Sequence, residues 1–389
     1  MNDHLNLPSP PPDHIPRLDV VRAIAILSVL GLHFVTYSIT VYDPSRWNGL
    51  FFDYSYWPLH DFYLFTPLTL GGIGVGLFFV LSGFCIHYSF LRRPESFSTL
   101  NFYWRRILRI YPAYLVALVV FTLIEWWFDY RPFGPITVSQ FLTHLFLINN
   151  LSKNTLYGIS GAFWSLAVEF QFYLAYPLLL MGMRRFTLRG CLMGALAINV
   201  GCQIVLLLSK SGLTNTHGYL WSLPLLTWWS WILGACLAEG YVTGKTVFER
   251  RSLIIFISLV LWIFARFFRP LQGDSALFGC VLCGALMEAY LAWREPLMKV
   301  ERILIPVGLF SYSLYLWHHP LMHPIYLLLS RIFGLKSHSI LEAILYLPLT
   351  FLLLLPLAAA SYYYIELGVP RLIRRTHRRP VRAAAAALP

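Results

Sequence analysis

The sequence predicts an all-α polytopic membrane protein, a bundle of about ten transmembrane helices with both termini in the cytoplasm. Three observations carry that prediction. Of 389 residues, 58% are hydrophobic and only 12% are charged, whereas soluble domains carry about 25% charged residues. Apolar runs recur along the whole chain, each near the ~20 residues a helix needs to cross a ~30 Å hydrocarbon core. The 30 Lys and Arg residues also crowd into alternate loops, which is an orientation signal.

The ten apolar runs are 20–41, 72–91, 108–128, 160–183, 189–209, 219–242, 252–268, 275–293, 303–330 and 341–366. Residues 1–16 ahead of them are polar and Pro-rich (NLPSPPPDHIP). They lack the charged n-region and apolar core of a cleavable leader, so the first run reads as a signal anchor. Between the third and fourth runs, 129–159 is semi-polar, and its stretch SQFLTHLFLI is too short to cross; it reads as re-entrant or interfacial. The tail 371–389 is basic, then Ala-rich, and reads as disordered or resting on anionic lipid. All six cysteines fall in apolar stretches. Cys280 and Cys283 form a CxxC without a second pair, which reads as small core residues and not as a metal or redox site. No metal is expected.

Orientation follows from charge. The N-terminus, the loops after the second, fourth, sixth and eighth runs, and the C-terminus together hold 22 of the 30 Lys and Arg. The positive-inside rule places those segments in the cytoplasm, and an even number of spans is required. The net charge of +12 is thereby a topology signal, and no nucleic-acid partner is expected; membrane lipid is.

Ionisable groups inside spans are costly and mark function. Arg22 and His33 stand eleven residues apart in the first run, close to three whole turns, so they share a face ~16 Å apart along the axis. Read singly, Arg22 snorkels to the interface and His33 bonds a backbone carbonyl. With the orientation above, His33, Ser82 in GLFFVLSGF, Glu169 in WSLAVEFQFY and His318 in SYSLYLWHHP come from four helices at similar depth, which suggests one polar cavity. Unrelated interhelical hydrogen bonds are the plainer alternative. Arg105, Arg106 and Arg109 open the third run at i, i+1 and i+4. Such a cluster suits bidentate contact with a polyphosphate, or equally lipid headgroups.

These stretches resemble the membrane-bound acyltransferase family 3, of the O-antigen acetylase and Nod-factor acetyltransferase type. The matching segments are LDVVRAIAILSVLGLHF, GVGLFFVLSGF, FYWRRILRIYPAYL, FWSLAVEFQFYLAYPLL, WWSWILGACLAEG and GLFSYSLYLWHHPL. They run in family order from about residue 17 to 366, so the reading divides the chain into a tail (1–16), a transmembrane acyltransferase domain (17–370) and a second tail (371–389). Two features depart from the family pattern. Glu366, in YYYIELGVPRL, lacks the proline that usually follows the equivalent Glu-Arg, and the chain resembles the stand-alone form without an SGNH domain.

The resemblance implies an acyl-CoA donor, usually acetyl-CoA, and a hydroxyl acceptor on a glycan or glycolipid. It implies that Arg105, Arg106 and Arg109 grip the donor's phosphates, with Arg22 steering it. His33 is then the general base or an acyl-carrying nucleophile, Glu169 orients it, and Ser82, Tyr315 or His318 donates to the oxyanion. His60 and Asp61 in the loop 42–71 contact the acceptor or are simply solvated. Trp47, Tyr54, Trp57 and Phe133 stack on sugar rings or belong to the interfacial aromatic belt. The competing reading is a glycolipid or small-molecule transporter, with no use for CoA or a base. The expected location is the bacterial inner membrane.

Overall fold

The computed structural model describes residues 12–40, 71–128, 136–208, 222–267, 275–293, 295–333 and 340–373. Helices account for nearly all of them, and no strand occurs among the described residues. In chain order they are α1 (Pro16–Thr40), α2 (Gly71–Leu91), α3 (Thr99–Phe128), α4 (Val138–Leu145), α5 (Phe163–Arg185), α6 (Leu188–Leu208), α7 (Pro224–Thr243), α8 (Arg251–Phe267), α9 (Ser275–Ala292), α10 (Lys299–Leu309), α11 (Ser311–Phe333) and α12 (Ile340–Ala360). Among the described residues, each apolar run overlaps a helix. Five segments are long and apolar enough to cross a membrane: Ile73–Leu91, Thr99–Trp127, Phe163–Arg185, Leu188–Val205 and Tyr346–Ile373.

Local chemistry sets the boundaries. Pro16 and Pro224 open α1 and α7, where the missing N–H has no helical partner to lose. Gly244 follows α7 at φ 71°, the left-handed cap that glycine takes without a Cβ penalty. The hydroxyl of Thr137 accepts from Gln140 N at 3.1 Å and caps α4, the eight-residue helix that overlaps SQFLTHLFLI. In α4, His144 is buried with Nδ1 2.7 Å from the Gln140 carbonyl, and burial pushes its imidazole down to about 4.

The run 303–330, expected as one span, is two helices parted at Phe310. Pro306 sits inside α10 and removes an i→i−4 bond. Gly308 lies so close to the Asp19 carbonyl of α1 that a Cβ there has no room. Hydropathy sees neither constraint. Within the expected tail 1–16, the described residues 12–15 contact the helices. Tyr88 OH donates to the Pro12 carbonyl at 2.7 Å, Arg92 pairs with Asp13, and His14 Nε2 lies 2.6 Å from Asp19, so residues 12–15 are fastened to α1 and α2.

Two apolar clusters form the interior. One gathers α2, α5, α7 and α9 around Phe84, Phe172, Trp229 and Trp231. The other gathers α1, α3, α5, α11 and α12 around Ile26, Tyr114, Phe121 and Phe163. Val75, Phe78, Phe170 and Tyr312 pack against both and mark the seam between them. Within the first cluster α2 and α7 touch backbone to backbone. A Cβ on Gly83 would strike the Trp231 carbonyl, and one on Gly234 would strike the Val80 carbonyl, the small-residue crossing familiar from membrane helices.

Candidate active site

Two contiguous cavities lie along the seam. The outer, about 410 Å³, is bordered by Arg22, Arg105, Arg106, Arg109, Tyr362 and Glu366 among others. The inner, about 100 Å³, is bordered by Arg22, Ser82, Cys85, Arg106, Arg109, Ser165, Glu169, Tyr173 and Tyr315, with Val75, Phe78 and Phe79 among its apolar lining. Arg22, Arg106, Arg109, Ser311 and Tyr312 border both. The break at Phe310 is what brings Ser311 and Tyr312 to this junction.

The cations differ in their partners. Arg22 pairs with Asp19, which is fully buried, and its Nη2 donates to Cys85 Sγ at 2.9 Å. Arg106 lies 5.5 Å from the Phe102 ring centre and 5.8 Å from that of Tyr173, held by cation–π contact, while its buried Nε has no hydrogen-bond partner. Among the described residues, Arg105, Arg106 and Arg109 make no ion pair. Three guanidinium groups, with Glu366 the carboxylate nearby, border one cavity, a chemistry that suits an anion with several oxygens.

Deeper in, one chain of hydrogen bonds crosses three helices. Trp231 Nε1 donates to Ser82 Oγ at 3.3 Å, Ser82 Oγ donates to Tyr173 OH at 3.4 Å, and Tyr173 OH donates to Glu169 Oε1 at 2.5 Å. Glu169 accepts from Tyr173, four residues along the same helix, and its described hydrogen bond is not to His33. Ser82 borders the inner cavity and lies in this chain, with its hydroxyl 3.4 Å from that of Tyr173. Tyr315 is likewise engaged, its hydroxyl 2.5 Å from Ser165 Oγ and donating to the Ala162 carbonyl at 3.1 Å.

His33 and His318 meet each other, and neither is among the residues bordering these two cavities. His33 Nδ1 lies 2.8 Å from His318 Nε2, and His318 Nδ1 lies 2.6 Å from the Tyr315 carbonyl. His319 stands edge-on to His33 with ring centres 5.0 Å apart. Of the four residues expected to share one cavity, Ser82 and Glu169 border the inner one. Tyr315 links the histidine pair to it, since its side chain borders that cavity and its carbonyl lies 2.6 Å from His318 Nδ1. No group of His, Cys, Asp or Glu among the described residues is placed to hold a metal.

Several residues here escaped the sequence reading. Asp19 precedes Arg22 by three and Tyr173 follows Glu169 by four, spacings that place side chains together on a helix. Trp231 left no comparable signal. Glu366, whose motif is altered, lies in a π-helical turn, Ser361–Glu366, where Ser313 Oγ donates to its carboxylate at 3.2 Å; such turns cluster at functional sites. His60, Asp61, Trp47, Tyr54, Trp57 and Phe133 lie outside the described residues.

Comparison with known proteins bears on this arrangement. A family model described as an acyltransferase domain matches residues 15–360. Peptidoglycan O-acetyltransferase OatA of Listeria monocytogenes is 24% identical over 388 aligned residues, covering 91% of this chain and 55% of the relative. Nodulation protein 10 of Rhizobium leguminosarum is 25% identical over 342, covering 80% and 83%. O-acetyltransferase OatA of Staphylococcus aureus is 26% identical over 349, covering 80% and 51%. The chain thus spans about half the length of the two O-acetyltransferases. No solved structure matches it. With a family match across nearly the whole helical domain and five helices able to cross a bilayer, the chain belongs to the family 3 acyltransferases and is an integral membrane acyltransferase.

Proposed function

We propose that this enzyme moves an acyl group, most simply acetyl, from acyl-CoA to a hydroxyl of a cell-envelope or exported glycan or glycolipid. The observation that carries the reading is the set of three guanidinium groups, in no close ion pair among the described residues, on a vestibule that adjoins a smaller cavity lined by Glu169 and Tyr315. A transporter has no evident need for such a polyphosphate grip ahead of so small an inner cavity. The names of the Listeria and Staphylococcus relatives, both O-acetyltransferases, support the acceptor class.

In this reading ten helices span the inner membrane of a bacterium, and both termini and the arginine vestibule face the cytoplasm. Arg105, Arg106 and Arg109 take the donor's phosphates, and Arg22, steadied by Asp19, borders the way in. The thioester arm follows the seam past Cys85 and Glu169 toward Tyr315. His33, beyond Tyr315, is the general base for the acceptor hydroxyl arriving from the opposite side. Glu169 and Tyr173 keep the inner cavity's hydrogen bonds in order.

The test is transfer of labelled acetyl from acetyl-CoA into envelope material, in inside-out vesicles carrying the wild type or His33→Ala. Label should enter with the wild type and fall by about 10²–10⁴-fold in the variant, the usual contribution of a general base. Full activity in a folded His33→Ala protein would exclude His33 as base. No CoA release with any acyl-CoA and glycan offered would exclude the transferase reading.

A further inference from the structure

We infer that His318 is a positioning residue: it fixes the proton of His33 on Nδ1 and leaves Nε2 as the nitrogen that receives the acceptor's proton. The inference rests on the reading of His33 as the base. A backbone carbonyl only accepts hydrogen bonds. The Tyr315 carbonyl is 2.6 Å from His318 Nδ1, so that nitrogen carries a hydrogen. A neutral imidazole has one N–H, so His318 Nε2 holds a bare lone pair. That lone pair lies 2.8 Å from His33 Nδ1, so His33 is the donor. Its Nδ1 is protonated and its Nε2 is free. The described partners of His33 and His318 are rings and a carbonyl, with no carboxylate among them. Buried charge without a counterion is unfavourable, which favours the neutral rings the argument needs.

The local sequence makes the device possible. His318 lies in the turn that follows Tyr315, near enough for its ring to reach back to the carbonyl three residues earlier. A carbonyl has two lone pairs, so this bond can coexist with the helical one. Pro320 inside α11 removes an N–H from the next turn and loosens the helix there. The second anchor is the packing of α1 against α11, which sets the His33 ring against that of His318.

The reaction can be balanced around this geometry. The acceptor O–H proton passes to His33 Nε2 as the oxygen bonds the acyl carbon. The carbon–sulfur bond breaks, and the departing CoA sulfur takes the proton back from Nε2 as a thiol. While His33 is an imidazolium, its Nδ1–H bond to His318 becomes charge-assisted and stronger. His318 thus does for His33 what the triad aspartate does for its histidine, by tautomer and orientation, with a neutral ring in place of a carboxylate.

The experiment compares His318→Gln, whose side-chain carbonyl can still accept from His33, with His318→Leu, which cannot. The full-length enzyme is assayed in proteoliposomes with acetyl-CoA and a glycan acceptor. For His318→Leu, kcat should fall about 10²-fold or more, while KM for acetyl-CoA changes by less than about threefold. His318→Gln should restore kcat to within about tenfold of wild type. Nitrogen NMR of histidine-labelled protein, assigned by difference against His33→Gln, should report His33 protonated at Nδ1. Wild-type kcat in His318→Leu, a His318→Gln as slow as His318→Leu, or a His33 protonated at Nε2 would each overturn the inference. If His33→Ala is inactive while His318→Leu is fully active, only this inference falls. If His33→Ala is active, the reading of His33 as base falls first.

Discussion

Glu169 and Tyr173 show how a polar residue deep in a bundle is held. The carboxylate keeps its place because a tyrosine one turn along gives up its proton to it, and Ser82 and Trp231 back that tyrosine. Tyr173→Phe leaves a carboxylate oxygen short of a partner, a loss of about 1–3 kcal/mol. We expect activity to fall about tenfold or more, and Tyr173→Phe to add little once Glu169→Gln is in place, because the two act as a unit. A double-mutant cycle on kcat/KM measures this, and fully additive losses would contradict it. Glu169 was legible because a carboxylate in an apolar run is conspicuous. Its partner was not, although the i, i+4 spacing was in view, because an imidazole on another helix was the more familiar companion for a catalytic carboxylate.

Among the helices, the crossing of α2 and α7 matters most to the site, since Ser82 and Trp231 stand next to its two glycines. Alanine at Gly234 would drive a methyl into the Val80 carbonyl, so Gly234→Ala should destabilise by the upper end of the roughly 1–3 kcal/mol typical of overpacking. Gly194→Ala on α6, with open space around it, should be neutral or slightly stabilising, since alanine favours helix over glycine. Thermal unfolding in detergent compares the two, and equal stabilities would refute the crossing. Helix positions were readable from hydropathy, because length and apolar content suffice. The break at Phe310 was not, since it depends on Gly308 meeting Asp19 from the far end of the sequence.

Over the whole molecule, the two apolar clusters meet along a seam, and both cavities lie on that seam. The sequence placed seven of its nine site candidates on the two cavities, since costly polar groups in a bundle must face one another. It could not divide the vestibule from the histidine pair, because depth along a helix does not tell which neighbour a side chain meets. Cys85 offers a probe of the path. It borders the inner cavity beside Arg22, whereas the other five free cysteines border neither cavity. A charged, membrane-impermeant thiol reagent should label it from the arginine side, and CoA should slow that labelling at least about tenfold when saturating. Labelling indifferent to CoA, or labelling only from the other face, would refute the path. Cys85→Ala identifies the signal.

The order of the two cavities also determines what a donor leaves behind in water. The arginines stand at the wide outer end, while the narrow inner cavity, about 100 Å³, has room for little more than a slender chain. In the proposed reading, an acyl-CoA seated along the seam keeps its phosphates at the wide end and sends inward only an uncharged arm. The transfer free energy is then set by a few amides, each roughly 2–7 kcal/mol if left unpaired, and not by ions, for which the Born term is tens of kcal/mol. Ser165, Ser311 and Tyr312 along the passage bring hydroxyls within reach of such amides. If acyl-CoA is the donor, solvation alone would sort it end for end, with the acyl group entering first.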